Sequence, residues 1–112
     1  MADWKKTFLD NTSTVGALAA GNPGIREAMQ GLNAAAASKN ALDDKTRELI
    51  ALAVAATTRC EGCIAAHAEK AVKVGASRDE LLEALAMAIS LNAGAALVYS
   101  SRILEAYDQF SQ

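Results

Sequence analysis

Aromatic rings, proline, histidine and cysteine are nearly absent from this chain. Of its 112 residues, 4% are aromatic, one is proline, one is histidine and two are cysteine. Sheet proteins draw on β-branched and aromatic side chains, and the scarcity of both argues against a β fold. An excess of one charge is also missing. The formal net charge is −2 with the signs interspersed, and no basic patch or aromatic–basic interleaving marks the chain for nucleic acid. The opening residues Met1-Ala2-Asp3-Trp4-Lys5-Lys6 lack the apolar stretch of a signal peptide, so the expected compartment is the cytoplasm. The stretch from Ala84 to Ser101 carries no charge and is about the minimum length for a membrane span. Ser90, Asn92, Gly94, Tyr99 and Ser100 interrupt it. It reads instead as two buried helices of a soluble protein, parted at Asn92-Ala93-Gly94, and no membrane partner is expected.

What remains is mostly small and aliphatic. Hydrophobic residues make up 52% of the chain. Alanine is the best helix former, and its small side chain lets helices approach closely. The length fits one domain, so residues 1–112 are expected to form a single all-α unit. A domain this short has little interior of its own. The apolar surplus therefore predicts a homo-oligomer, with interfaces resembling a core cut in half.

About six helices are expected. Asp3 to Asn11 forms a short one with Trp4 and Phe8 on one face, and Thr12 to Gly21 is loosely helical. Asn22-Pro23 starts another, with Asn as N-cap and Pro at the first helical position, running to about Ala37. Ser38-Lys39-Asn40 is a loop. Asp43 caps the next helix, which carries Glu48 and the run Leu49-Ile50-Ala51-Leu52-Ala53-Val54-Ala55-Ala56. That run is apolar all round and is expected to be buried on most sides. Thr57-Thr58-Arg59 breaks the chain, and a helix with both cysteines at its start runs to Val74, ended by Gly75. Ser77-Arg78-Asp79-Glu80 is a capping box for the next helix, and a last one begins near Ala95.

The chemistry is concentrated in Cys60-Glu61-Gly62-Cys63 and His67, which hold every cysteine and histidine of the chain. Two thiols two residues apart can cycle between dithiol and disulfide. The attacking species is the thiolate, and a helix N-terminus or a nearby imidazolium lowers the thiol pKa. Cys63 and His67 are four apart, so their β-carbons lie about 5–6 Å from each other on one helix face. If the chain reverses between Thr57 and Thr58, Glu48 and His67 are equally distant from the turn. An antiparallel pairing of the two helices then sets them level, with Glu48 orienting the imidazole directly or through water. The expected relay is Glu48–His67–Cys63, a nucleophile with its base and the group that positions the base, and Cys60 is the resolving thiol.

The segment Leu42-Asp43-Asp44-Lys45-Thr46-Arg47-Glu48-Leu49-Ile50 through Cys60-Glu61-Gly62-Cys63-Ile64-Ala65-Ala66-His67 resembles the carboxymuconolactone decarboxylase family, and within it the alkylhydroperoxidase D-like branch. Gly75-Ala76-Ser77 to Glu83-Ala84 is similar as well, and the likeness spans roughly residues 42 to 105. It implies an all-helical fold that assembles as a hexamer or, failing that, a trimer. It implies a thiol-dependent peroxidase or disulfide reductase of antioxidant defence. In that chemistry Cys63 is oxidised by peroxide to a sulfenic acid, Cys60 condenses with it to a disulfide, and a cellular thiol donor reduces the pair. His67 and Glu48 match the proton-relay positions. The best-known peroxidases of the branch carry a second histidine directly before the second cysteine, where this chain has Gly62. That shorter relay points to a disulfide as the alternative substrate.

Other readings are weaker. Cys60, Cys63 and His67 offer three metal ligands, short of a closed zinc site; a water, Glu48 or a neighbouring subunit could supply the fourth, so a metal-binding oligomer is an alternative, while the leading reading expects neither metal nor other cofactor. The decarboxylases of the wider family lack the Cys-x-x-Cys, and no arginine cluster here would grip a dicarboxylate. A structural oligomer with incidental thiols is the remaining alternative. No βαβ pattern surrounds the dithiol, as a thioredoxin requires. Ile64 after Cys63 rules out a haem-attachment motif, and no phosphate-cradling or nicotinamide fingerprint is present.

Overall fold

The computed structural model describes all residues, 1–112, as five helices without a strand. Helix α1 spans Trp4–Gly21, α2 Pro23–Ala36, α3 Asp44–Thr58, α4 Glu61–Lys73 and α5 Arg78–Phe110. Most boundaries follow local chemistry. The Asp43 carboxylate accepts from the Thr46 N–H at 2.8 Å at the start of α3. Arg59, in the left-handed region at φ 57°, reverses the chain after it. Gly75 at φ 80° ends the turn after α4, where a side chain would be strained. Ser77 and Glu80 close a capping box, each side chain bonded to the other's N–H at 3.0 and 2.9 Å. Pro23 opens α2, although the Asn22 side chain makes no capping bond.

Four expectations need correction, the last of them the burial of Ala84–Ser101. The first 21 residues do not split into a short helix and a loose one; α1 is continuous from Trp4. The Asn92-Ala93-Gly94 stretch does not break the last helix, which is why five helices replace six. A glycine costs a helix about 1 kcal/mol, too little to interrupt a run flanked by alanine and leucine. Asn92 keeps its place by donating from Nδ2 to the Ala88 carbonyl at 2.7 Å and to Thr57 Oγ1 of α3 at 2.9 Å. The α3 run is covered on one side only. Leu52 and Ala55 are buried, whereas Ile50 and Val54 are 49% and 55% exposed.

α3 packs against α4 and α5, and α1 against α4 and α2. The buried residues are Leu52, Ala55, Ala65 and Ala71, all on α3 and α4. The Ala84–Ser101 stretch, expected to be buried, holds no buried residue, and everything beyond Gly94 is exposed. By length and composition α5 could also cross a membrane. Its 33 residues reach about 50 Å at 1.5 Å per residue. The radius of gyration is accordingly 18.4 Å, against about 13 Å for a compact domain of this size. The chain exposes 8847 Å², about 3,000 Å² more than a compact monomer of its mass.

Candidate active site

Cys60 is the N-cap of α4, and its Sγ accepts a hydrogen bond from the Cys63 N–H at 3.2 Å. The sulfur thus does what a serine oxygen does at most helix starts. Cys63 stands in the first turn, where unpaired N–H groups and the helix dipole favour a negative sulfur. The two are joined as a disulfide, with Cα atoms 5.2 Å apart. Cys63 is exposed and Cys60 half-buried. Cys63, the member of the pair four residues before His67, is thus the more exposed of the two.

His67 lies one turn further along α4. The α3–α4 hairpin sets it level with Glu48, and His67 Nδ1 is 2.6 Å from Glu48 Oε2. The contact is direct, with no bridging water needed. The Glu48 side chain is 15% exposed and that of His67 33%, so the pair sits at the edge of the α3–α4 interface. An ionised carboxylate only accepts, so Nδ1 must carry the hydrogen and Nε2 of the neutral ring is the free acceptor. In the disulfide state no hydrogen bond joins His67 to Cys63; they share a face one turn apart.

The surroundings add two features that the sequence did not show. An apolar groove of about 720 Å³ opens between α1 and α4, lined by Trp4, Phe8, Ile64, Ala65, Ala68 and Val72 among others. The groove reaches Ile64, the residue after Cys63, but Cys60, Cys63 and His67 do not line it. Asn11 of α1 lies against Gly62, between the two cysteines. Neither was legible in the motif, because α1 is far from it in sequence. The one signal was a glycine where a helix would prefer a side chain. No group of three or more His, Cys, Asp or Glu side chains is placed to hold a metal ion.

The carboxymuconolactone decarboxylase family matches residues 23–106. The chain belongs to this family. The carboxymuconolactone decarboxylase family protein of Legionella pneumophila, crystallised in its apo form, is 38% identical, with 97% of each chain covered and a TM-score of 0.74. An uncharacterized protein of Haemophilus influenzae is 60% identical over 105 residues, 94% of this chain and 93% of its own. A protein of the cox locus of Paracoccus denitrificans, also uncharacterized, is 35% identical over 101 residues, 90% of this chain and 86% of its own. Membership and the likeness to the Legionella structure account for the all-helical fold; which activity of the family this chain performs rests on its own site.

Proposed function

We propose that this protein is a thiol-dependent peroxidase that reduces organic hydroperoxides through Cys63 and Cys60. The observation that carries the reading is the joining of three elements at one helix start. A redox-capable cysteine pair, its more exposed member one turn from a histidine, lies beside a carboxylate fixing that histidine at 2.6 Å. In the reduced protein the Cys63 thiolate attacks the terminal oxygen of ROOH. An S–O bond forms, the O–O bond breaks, and the leaving alkoxide takes a proton from the imidazolium of His67. Cys60 then attacks the sulfenic sulfur as a thiolate. The S–S bond forms and the hydroxyl leaves as water once protonated. Two electrons and two protons from an external thiol donor restore the dithiol. His67 shuttles the protons, and Glu48 holds its ring.

A disulfide substrate is the second reading, favoured by Gly62, which leaves His67 as the only histidine near the thiols. The same Cys63 then attacks a sulfur instead of an oxygen. One experiment separates these readings and tests both. Reduced protein is mixed with one equivalent of cumene hydroperoxide or of a small disulfide, alkylated and mapped by mass spectrometry. The peroxidase reading expects a Cys60–Cys63 disulfide at a rate far above that of free cysteine, lost in Cys63→Ser, with a trappable sulfenic acid in Cys60→Ser. Thiols that stay alkylatable with hydroperoxide refute it, and rapid oxidation by the disulfide alone selects the second reading.

The working unit we infer is a homo-oligomer, a hexamer by preference and otherwise a trimer, in the cytoplasm. The excess surface of about 3,000 Å² falls in the range that obligate interfaces remove. Much of it is apolar, including Leu97 at 77% and Ile89 at 71% exposure on α5. A second copy of this chain, with the same bare apolar face, is the occupant we infer.

A further inference from the structure

Gly62 is crowded as no other glycine of the chain is. A Cβ built on it falls 2.3 Å from Asn11 Oδ1, 2.6 Å from Cγ and 2.7 Å from Nδ2. At the next most crowded glycine, Gly24, the nearest contact is an ordinary 3.4 Å. All three atoms of the Asn11 amide group are at similar range, so the amide lies broadside over residue 62. It takes the space a side chain there would occupy. Gly62 directly precedes Cys63 and is one of the two residues between the cysteines of the Cys60-Glu61-Gly62-Cys63 turn, so the carboxamide packs on the turn that carries both sulfurs.

The rest of α1 explains how Asn11 arrives there. Trp4 and Phe8 lie seven and three residues before it, on one helical face. They line the groove against Ile64, Ala68 and Val72 of α4. α1 therefore runs back along α4 towards its N-terminus, and its apolar stripe ends in Asn11 at the active-site turn. The Asn11 backbone carbonyl accepts from Thr14 Oγ1 at 3.3 Å, but the carboxamide makes no hydrogen bond within the chain. It is half-buried. A polar group packed against a reactive turn with its two donors and its acceptor unused is available to a ligand. The residue lies outside positions 23–106, where the family match falls, so the family pattern assigns it nothing.

We propose that Asn11 is a substrate-binding residue of the dithiol centre. Its carboxamide donates to the hydroperoxide oxygen that Cys63 takes up, and it keeps this place because residue 62 has no side chain. The inference rests on the peroxidase reading and adds a second polar group to it, contributed by α1. As charge develops on the peroxide oxygens in the transition state, a preplaced donor stabilises them more than it stabilises the bound substrate. No extra bond is made or broken beyond the oxygen transfer already described.

The test uses the full reduced chain and single-turnover oxidation by cumene hydroperoxide, with three variants: Asn11→Leu, Gly62→Ala and the double substitution. Asn11→Leu keeps the size and removes the hydrogen bonds; its second-order rate is expected to fall about tenfold. Gly62→Ala pushes the carboxamide off the turn and should fall by a similar factor, although alanine suits a helix better and the thermal stability should hold or rise. The double variant should be no slower than either single one, since both remove the same interaction. Alkylation by iodoacetamide, which carries no peroxide oxygen, should proceed at the wild-type rate in all three. Variants that match a fast wild type with hydroperoxide overturn the role of Asn11 and leave the peroxidase reading standing. Equal losses in alkylation overturn it too, because the thiol itself would then be disturbed. A full rate in Gly62→Ala alone refutes the pairing with residue 62. A wild type no faster than free cysteine removes the peroxidase reading and this inference together.

Discussion

Replacing Glu48 separates the positioning of His67 from the reactivity of the thiols. Glu48 Oε2 meets His67 Nδ1 at 2.6 Å in a setting where the carboxylate is only 15% exposed. A hydrogen bond to a charged partner contributes about 1.5–3 kcal/mol, and a neutral one about 0.5–1.5 kcal/mol. Glu48→Gln keeps an acceptor for the Nδ1–H and loses the charge, a loss of about 1–1.5 kcal/mol. At about 1.4 kcal/mol per decade, this slows peroxide reduction roughly tenfold. Glu48→Ala removes the partner entirely, frees the ring to rotate and should cost about 30- to 100-fold, the lower part of what general acid–base catalysis supplies. The assay is stopped-flow loss of free thiol in the reduced protein with cumene hydroperoxide, repeated from pH 5 to 9. His67→Gln serves as the limit, and Glu48→Ala should add little to it because the two act through one ring. A Glu48→Ala protein that is folded and reacts at the wild-type rate across this range would refute the relay. Additive losses in the double variant would show that Glu48 acts elsewhere.

Leu52, 6% exposed, is the one large side chain in a core otherwise made of alanines. Leu52→Ala should cost about 2–5 kcal/mol and lower the thermal midpoint by roughly 10 °C or more; a midpoint within a degree of wild type would show that the α3–α4 seam is not what holds the fold. Glu80 is held at a pKa of about 2 rather than the ordinary 4.5, first by its hydrogen bond to Lys45 and then by those to Ser77. A carboxylate depressed in the folded state stabilises above pH 4.5 and loses that contribution as the pH falls to about 2. Glu80→Gln should therefore flatten the fall in thermal midpoint across that acid window, by a small amount for so exposed a pair, and an unchanged slope would discount the Lys45–Glu80 bridge. Leu97→Asp on the bare outer half of α5 should shift the protein to smaller species in analytical ultracentrifugation; a wild-type protein that sediments as a monomer at micromolar concentration would remove the oligomer.

The reactive centre was legible because it is local. Cys60, Cys63 and His67 fall on one helix, whose pitch fixes their spacing whatever surrounds it. Glu48 follows from one further step: two helices joined by a tight turn must meet level at residues equidistant from it. Caps at Asp43 and Ser77 and the stop at Gly75 are likewise bonds between residues a few positions apart. The continuity of α5 was misread, since Asn92 and Gly94 look like a break until Thr57 of α3 supplies the partner that holds Asn92 in the helix. The apolar run of α3 pointed to burial, but which side is covered depends on what else packs there, and one chain covers only the side of Leu52 and Ala55. Asn11 meets Gly62 across fifty positions of sequence through the docking of α1 on α4. By itself the sequence determined the cysteine pair, the histidine one turn from it and the all-helical frame, because hydrogen bonds and helical pitch act within a few residues. Only the tertiary structure decided which thiol is exposed, what lies over the turn between them and how much apolar surface is left bare, because these depend on packing between segments distant in the chain.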